Sequence, residues 1–278
     1  MDLYLNLCRE IARLVTKQYS TSFYLSSCLL QKETREAIFA VYAFVRFADE
    51  IVDSFHDFDK EKLLLDFERD MKRSLQERIS INPVLNAFQN VVHRYGIPYE
   101  LIDAFMQSMK ADLSKQVYNT KEETENYIYG SANVVGLMCL KVFVAGDELV
   151  YQSLKSPAMM LGSAFQKVNF LRDLGADMQD LKRSYFSGFH AGEFGETEKN
   201  LIIGEIREEF EAARKGISLI PGRSKLAVFT AYCYYKELLA KIASVPASEV
   251  MKMRVRVSDF KKIVLLIKSA FMYKFKLI

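Results

Sequence analysis

Apolar residues recur at helical spacing through ten long segments of this chain: 3–18, 31–55, 60–78, 84–95, 99–117, 123–144, 157–180, 196–218, 224–243 and 259–275. No run of alternating apolar and polar residues competes with them, so the pattern predicts an all-α fold. Breakers are sparse, with 12 Gly and 5 Pro in 278 residues, and half of the residues are hydrophobic, enough for a sizeable core. Asn82-Pro83 and Ser156-Pro157 read as helix starts, because Pro suits a first helical turn. Gly96-Ile97-Pro98 reads as a tight link between helices. The longest expected loop is 184–198, which holds three Gly. No internal repeat, low-complexity tract or long linker divides the sequence, and residues 1–278 are read as a single domain.

Two stretches of this helical pattern carry misplaced charge. In V-Y-A-F-V-R-F-A-D-E-I-V-D-S-F, residues 41–55, Asp49 and Asp53 interrupt an apolar run. At i and i+4 they point the same way. Two carboxylates roughly 6 Å apart repel by about 3 kcal/mol at an effective dielectric near 20. Either the stripe faces water together with Glu50, or a cation sits between the acids. In F-Q-K-V-N-F-L-R-D-L-G-A-D-M-Q-D, residues 165–180, Asn169, Asp173 and Asp177 fall at i, i+4 and i+8 on one stripe among apolar neighbours. Hard oxygen ligands favour Mg²⁺, which takes one or two carboxylates and completes its shell with water and substrate phosphates. Two such stripes therefore suggest Mg²⁺ ions holding a diphosphate between two helices.

Other candidates are weaker singly. Ser20, Thr21 and Ser22 lie between two expected helices, where they could bind phosphate or act as turn and capping residues. Arg46 precedes Asp49 by one turn, Arg172 adjoins Asp173, and Arg183 and Tyr185 follow in L-K-R-S-Y-F-S. Each Arg could grip phosphate or simply neutralise an Asp. Gly130 and Gly136 sit inside an expected helix at about 1 kcal/mol each relative to Ala. That cost implies a kink, a close approach of substrate onto which Tyr129 would face, or a close helix–helix contact. No dinucleotide or phosphate-loop fingerprint is present.

Composition narrows the rest. Cys8, Cys28, Cys139 and Cys233 fit no metal spacing, and no signal peptide is read ahead of them, which points to reduced thiols in the cytoplasm. His56, His93 and His190 are isolated. A net charge of +3 is too small to imply nucleic acid. Residues 251–278 hold eight Lys or Arg and a single acid, Asp259. That segment reads either as a final helix with a basic outer face or as a peripheral contact with an anionic membrane. No uncharged apolar stretch is long enough to span a bilayer.

Taken jointly, Y-S-T-S-F-Y-L, A-V-Y-A-F-V-R-F-A-D-E-I-V-D, Y-G-S-A-N-V-V-G-L-M, Q-K-V-N-F-L-R-D-L-G-A-D and R-S-Y-F make the chain resemble the squalene/phytoene synthase family of head-to-head prenyl transferases, nearest its bacterial phytoene synthases. A weaker match, R-V-R-V-S-D-F-K-K, extends the resemblance towards the C-terminus. It implies an isoprenoid synthase helical bundle around a central cavity. It implies that Asp49, Asp53, Asn169, Asp173 and Asp177 hold Mg²⁺, with Mn²⁺ as a substitute. It implies that Ser20, Ser22, Arg46, Arg172 and Arg183 bind diphosphate, that Tyr42, Tyr129 and Gln166 line the chamber, and that Tyr185 is a further substrate contact. Tyr129 would stand near the proton acceptor. The chain departs from the family at Tyr19, Ala176 and Lys182, where members often carry His, Glu and Gly. The activity implied is Mg²⁺-dependent condensation of two geranylgeranyl diphosphates through a cyclopropyl diphosphate to phytoene, in carotenoid synthesis and without NADPH. The alternatives are a squalene or dehydrosqualene synthase using two farnesyl diphosphates, and a non-catalytic relative acting in complex assembly. The retained Asp pairs argue against the last.

Overall fold

The computed structural model describes residues 2–115, 117–118, 120–179 and 194–278, and the side chains of 176–179 fall outside that description. Its helices are α1 Asp2–Tyr19, α2 Thr21–Ser27, α3 Lys32–Ser54, α4 Lys60–Glu77, α5 Pro83–Tyr95, α6 Tyr99–Ser114 and α7 Lys121–Ile128. They continue, after a wide π-type turn Tyr129–Asn133, as α8 Val134–Phe143, α9 Glu148–Gln179, α10 Glu196–Leu219, α11 Ser224–Ser244, α12 Ala247–Val250 and α13 Asp259–Lys274. No strand element occurs among the described residues, as the periodicity predicts.

Local chemistry explains most boundaries. The Asn82 side chain accepts from the Val84 and Leu85 amides, Pro83 occupies the first turn of α5, and Gly96 closes that helix at φ +61°. Thr120 and Glu123 form a reciprocal capping box at the start of α7. Three expectations need correction. The helix expected over 157–180 starts at Glu148, because the Asp147 carboxylate accepts from the Val150 amide at 3.1 Å and caps it there. Pro157 consequently lies inside α9, its ring seated over Gly216 of α10, where a Cβ would lie 2.3 Å from the Pro157 Cβ. The segment 123–144 is not one regular helix but α7, the π turn and α8. Thr21 and Ser22 do not lie between helices but open the short α2, while Ser20 takes the capping role expected of it. Most of the loop expected at 184–198 lies outside the described residues.

Two apolar clusters flank the centre. In the larger, Phe44 of α3 stacks on Phe88 of α5 at 3.9 Å, with Phe67 and Phe105 beside it. The smaller joins α9, α10 and α11 through residues such as Val168, Leu171, Ile206, Phe210 and Ile242. A cavity between them takes its lining from both.

Candidate active site

Ile38, Val41, Val45 and Asp49 follow one another at intervals of three or four residues, so they share one face of α3, and all four line a cavity of about 350 Å³. At 1.5 Å per residue that face runs about 16 Å from Ile38 to Asp49. The other walls are equally apolar: Val135 and Cys139 from α8, Phe165 from α9, Val228 from α11. Burial pushes the Cys139 thiol up to about 12, so it serves as a neutral wall. Among the described lining residues Asp49 is the sole charged side chain, which gives the cavity one polar end.

At that end α2, α3, α9 and α11 converge. Ser20 accepts from the Phe23 amide at 3.3 Å as the cap of α2 and hydrogen-bonds Tyr42, while the Phe23 and Tyr42 rings stack at 4.8 Å. Burial, and the neighbouring Asp49, push the Tyr42 phenol up to about 12 against the pull of Arg46, so Tyr42 stays neutral. Arg46 pairs with Glu50, lies 3.9 Å from Asp49 and stacks over the Tyr19 ring at 4.5 Å. Its Nε is buried with no hydrogen-bond partner. Burial pushes the Asp49 carboxyl up to about 7, and Asp53 one turn on, then Asp112 and Glu50, add to the rise that Arg46 partly offsets. The Asp49 side chain retains 34% exposure, and as a lining residue it meets the chamber with that surface.

The second stripe continues the cavity wall along α9. Gln166 lines the cavity, and Asn169 and Asp173 follow it by one and two turns. Tyr235 of α11 donates to Asn169 Oδ1 at 3.3 Å, stacks on Phe165 at 4.0 Å, and lies within electrostatic reach of Tyr42. Tyr235 thus connects Asn169 of α9 with Tyr42 of α3, two turns before Asp49. Asp173 is held by Arg172 and also by Arg254, whose Nε lies 2.7 Å from Oδ1.

Not every expected residue joins this cluster. Tyr129 is 39% exposed and absent from the cavity lining, which Ser131 and Ala132 occupy instead. The expectation that it faces the chamber is corrected. Gly130 presses on α6, where a Cβ would lie 1.9 Å from Ser108 Oγ, and this helix contact aims the π turn differently from a regular helix. Ser22 is half-buried in the first turn of α2 and does not line the cavity. The Asp177 side chain, Arg183 and Tyr185 lie outside the described residues.

Sequence reasoning missed three groups: Arg254, Tyr235 and Asp112. Arg254 stands in the quoted R-V-R-V-S-D-F-K-K, but nothing in its spacing links it to Asp173, 81 positions away. Asp112 is an acid at a buried position of α6 and accepts from Tyr127 at 2.8 Å and Tyr118 at 3.4 Å. An acid among M-K-A-D-L-S was the available signal.

The donor set suits a hard divalent cation. Asp49 is surrounded by more negative than positive charge, and every candidate ligand offers oxygen. Among the described residues no three acidic, His or Cys side chains converge as a ready-made metal cage.

Residues 16–261 match the squalene/phytoene synthase family. The chain is 29% identical to the phytoene synthase of Arthrospira platensis over 92% of its own length and 90% of that relative. It is 27% identical to the chloroplastic phytoene synthase of Narcissus pseudonarcissus over 82% of its length, and spans 58% of that longer protein. In fold it is similar to a crystal structure of a dehydrosqualene synthase in complex with ligand, with a TM-score of 0.85, 23% identity, and coverage of 97% of this chain and 98% of that one. The family match takes in both carboxylate stripes and the cavity wall between them, and by it the chain belongs to the squalene/phytoene synthase family of prenyltransferases.

Proposed function

We propose that the protein is a phytoene synthase that joins two geranylgeranyl diphosphates head to head. The observation that supports this reading is a long apolar cavity lined by Asp49 of α3 and Gln166 of α9, the two helices that carry the stripes. The names of the sequence relatives support the C20 substrate.

Asp49, Asp53, Asn169 and Asp173 would hold Mg²⁺, with Asp177 as a further ligand. Bound there, Mg²⁺ supplies electron withdrawal from the diphosphate leaving group. Arg46 and Arg172, with Ser20 and Ser22, orient the diphosphates, and Arg254 stands ready to move from Asp173 to a phosphate oxygen. Departure of the first diphosphate leaves an allylic cation. The rings of Phe23, Tyr42, Phe165 and Tyr235 offer it π faces, and the aliphatic wall excludes water. The double bond of the second substrate attacks, and proton loss closes a cyclopropane. A second ionisation, rearrangement and proton loss give the conjugated triene. Tyr42, held neutral, is a poor base, and the released diphosphate would take the proton.

Product analysis by mass spectrometry tests this reading. Protein with Mg²⁺ receives geranylgeranyl diphosphate or farnesyl diphosphate, each with and without NADPH. A C40 triene that needs no NADPH is expected. A C30 product from farnesyl diphosphate alone would replace the reading with a squalene or dehydrosqualene synthase, and no product from folded protein would leave a non-catalytic relative.

A further inference from the structure

The final helix is turned inside out relative to an ordinary surface helix. Phe260, Ile263, Ile267, Phe271 and Phe275 follow at intervals of three or four and are 78%, 53%, 62%, 57% and 56% exposed. They form one outward stripe along α13 and its last turn. The opposite face holds α13 to the protein: Ser269 is buried with its hydroxyl donated to Leu265 O, and Met272 packs on the smaller core cluster. The sequence suggested a basic outer face, but the structure puts apolar residues there and sets the cations around them. Lys268, Lys274 and Lys276 are exposed. None of the three has an ion-pair partner among the described residues, whereas Lys261 and Lys262 pair with Glu237 and Asp259.

We propose that this stripe docks α13 flat on an anionic lipid bilayer, with the phenylalanines and isoleucines in the headgroup–acyl boundary and Lys268, Lys274 and Lys276 on lipid phosphates. Charge selects this occupant over a second copy of the chain. Lys274 lies within the arc of the stripe, so two copies meeting face to face would oppose like charges across an apolar contact. Anionic headgroups take the same charges favourably. The helix also lies parallel with, not across, the bilayer, since no described helix is long and apolar enough to cross one. If the proposed activity holds, the placement has a use. α13 packs on α11, and the residues Val228, Ala231 and Tyr235 of α11 line the chamber. Two helices, α11 and α13, each about 10 Å thick, then lie between the chamber and the lipid.

Vesicle binding tests the proposal without reference to turnover. The chain has no Trp, so Phe271→Trp provides a single reporter on the stripe. Its emission should shift to the blue with phosphatidylglycerol–phosphatidylcholine vesicles and stay unchanged with phosphatidylcholine alone. Lys268→Gln with Lys274→Gln should lower the partition coefficient on the order of thirtyfold, at about 1 kcal/mol per lysine. Ile267→Asp with Phe271→Asp, both at exposed sites, should abolish sedimentation with vesicles while circular dichroism stays unchanged. Absence of binding to anionic vesicles, or undiminished binding by either double variant, would overturn the proposal. So would a dimer in sedimentation velocity, without lipid, that the Asp variant disperses, because a second copy would then cover the stripe.

Discussion

Asp49 sits where a carboxylate is costly, half-buried beside a second acid, with Arg46 as its one guanidinium in partial compensation among the described residues. Its folded pKa of about 7 stands well above the ordinary carboxylate value, so without metal the native state binds the proton more tightly than the unfolded chain. Stability linked to this group is complete below the unfolded pKa, falls as pH rises through the window from about 4 to about 7, and is flat above it. Asp49→Asn removes the titration. In chelator, the variant should melt above the parent at pH 8 and with it at pH 4, while its turnover in Mg²⁺ is abolished. Equal melting curves at both pH values would show that the site does not strain the metal-free fold. Asp173 solves the same problem differently, since Arg172 and Arg254 neutralise it. Arg254 is half-exposed, so Arg254→Gln should leave the fold intact. Loss of one charged contact to diphosphate should lower kcat/KM on the order of tenfold. Unchanged kinetics would confine Arg254 to a surface ion pair.

At the scale of elements, the helical period carried α1, α3, α4, α5, α6, α10, α11 and α13 to within a few residues of their observed limits, because each carries one apolar stripe, which all but α13 bury. Prolines and glycines were legible only where local chemistry rules. Asn82-Pro83 starts α5, but Pro157 does not start α9, since a tertiary fit against Gly216 and a cap at Asp147 decide that boundary. The spacing of the two Asp stripes could be read from the sequence alone, whereas Tyr235, Arg254 and Asp112 come near Asn169, Asp173 and Asp49 only through packing between segments distant in sequence. Gly130 was legible as a cost, and the contact with Ser108 supplies its reason. Gly130→Ala should destabilise by about 1–3 kcal/mol through overpacking, read as a lower Tm, and Ser108→Gly should recover part of the loss. A neutral Gly130→Ala would mean that α6 yields freely there. The elements also define chamber length. α2 runs antiparallel to the lining face of α3, from Ser20 beside Tyr42 down to Ser27, and Tyr24 stacks on Phe39 on the way. Ser27 is buried and small at the deep end. Ser27→Phe should shorten the chamber and move the preferred substrate from geranylgeranyl to farnesyl diphosphate. An unchanged C40 to C30 product ratio would place the length limit elsewhere.

Across the whole molecule, the cavity lies between two apolar clusters, and residues of both line it. α3 belongs to the larger cluster and the stripe of α9 to the smaller, where Tyr235 holds Asn169 and stacks on Phe165, and both helices line the cavity. A metal–diphosphate complex bound there would add ties between α3 and α9, and so between the two clusters. Ligand binding to the native state alone raises stability by about 2.7 kcal/mol at a hundredfold excess over Kd. For a chain of this size each kcal/mol moves Tm by roughly 2–4 °C. An unreactive prenyl thiodiphosphate with Mg²⁺ should therefore raise Tm by several degrees. With chelator in place of Mg²⁺, the apolar tail still fills the chamber but the carboxylates repel the diphosphate, so the rise should nearly vanish. Asp173→Asn should behave in Mg²⁺ as the parent does in chelator, because it removes the α9 end of the tie. An equal rise with and without Mg²⁺ would mean that arginines alone hold the diphosphate, and the two aspartate stripes would then need a different explanation.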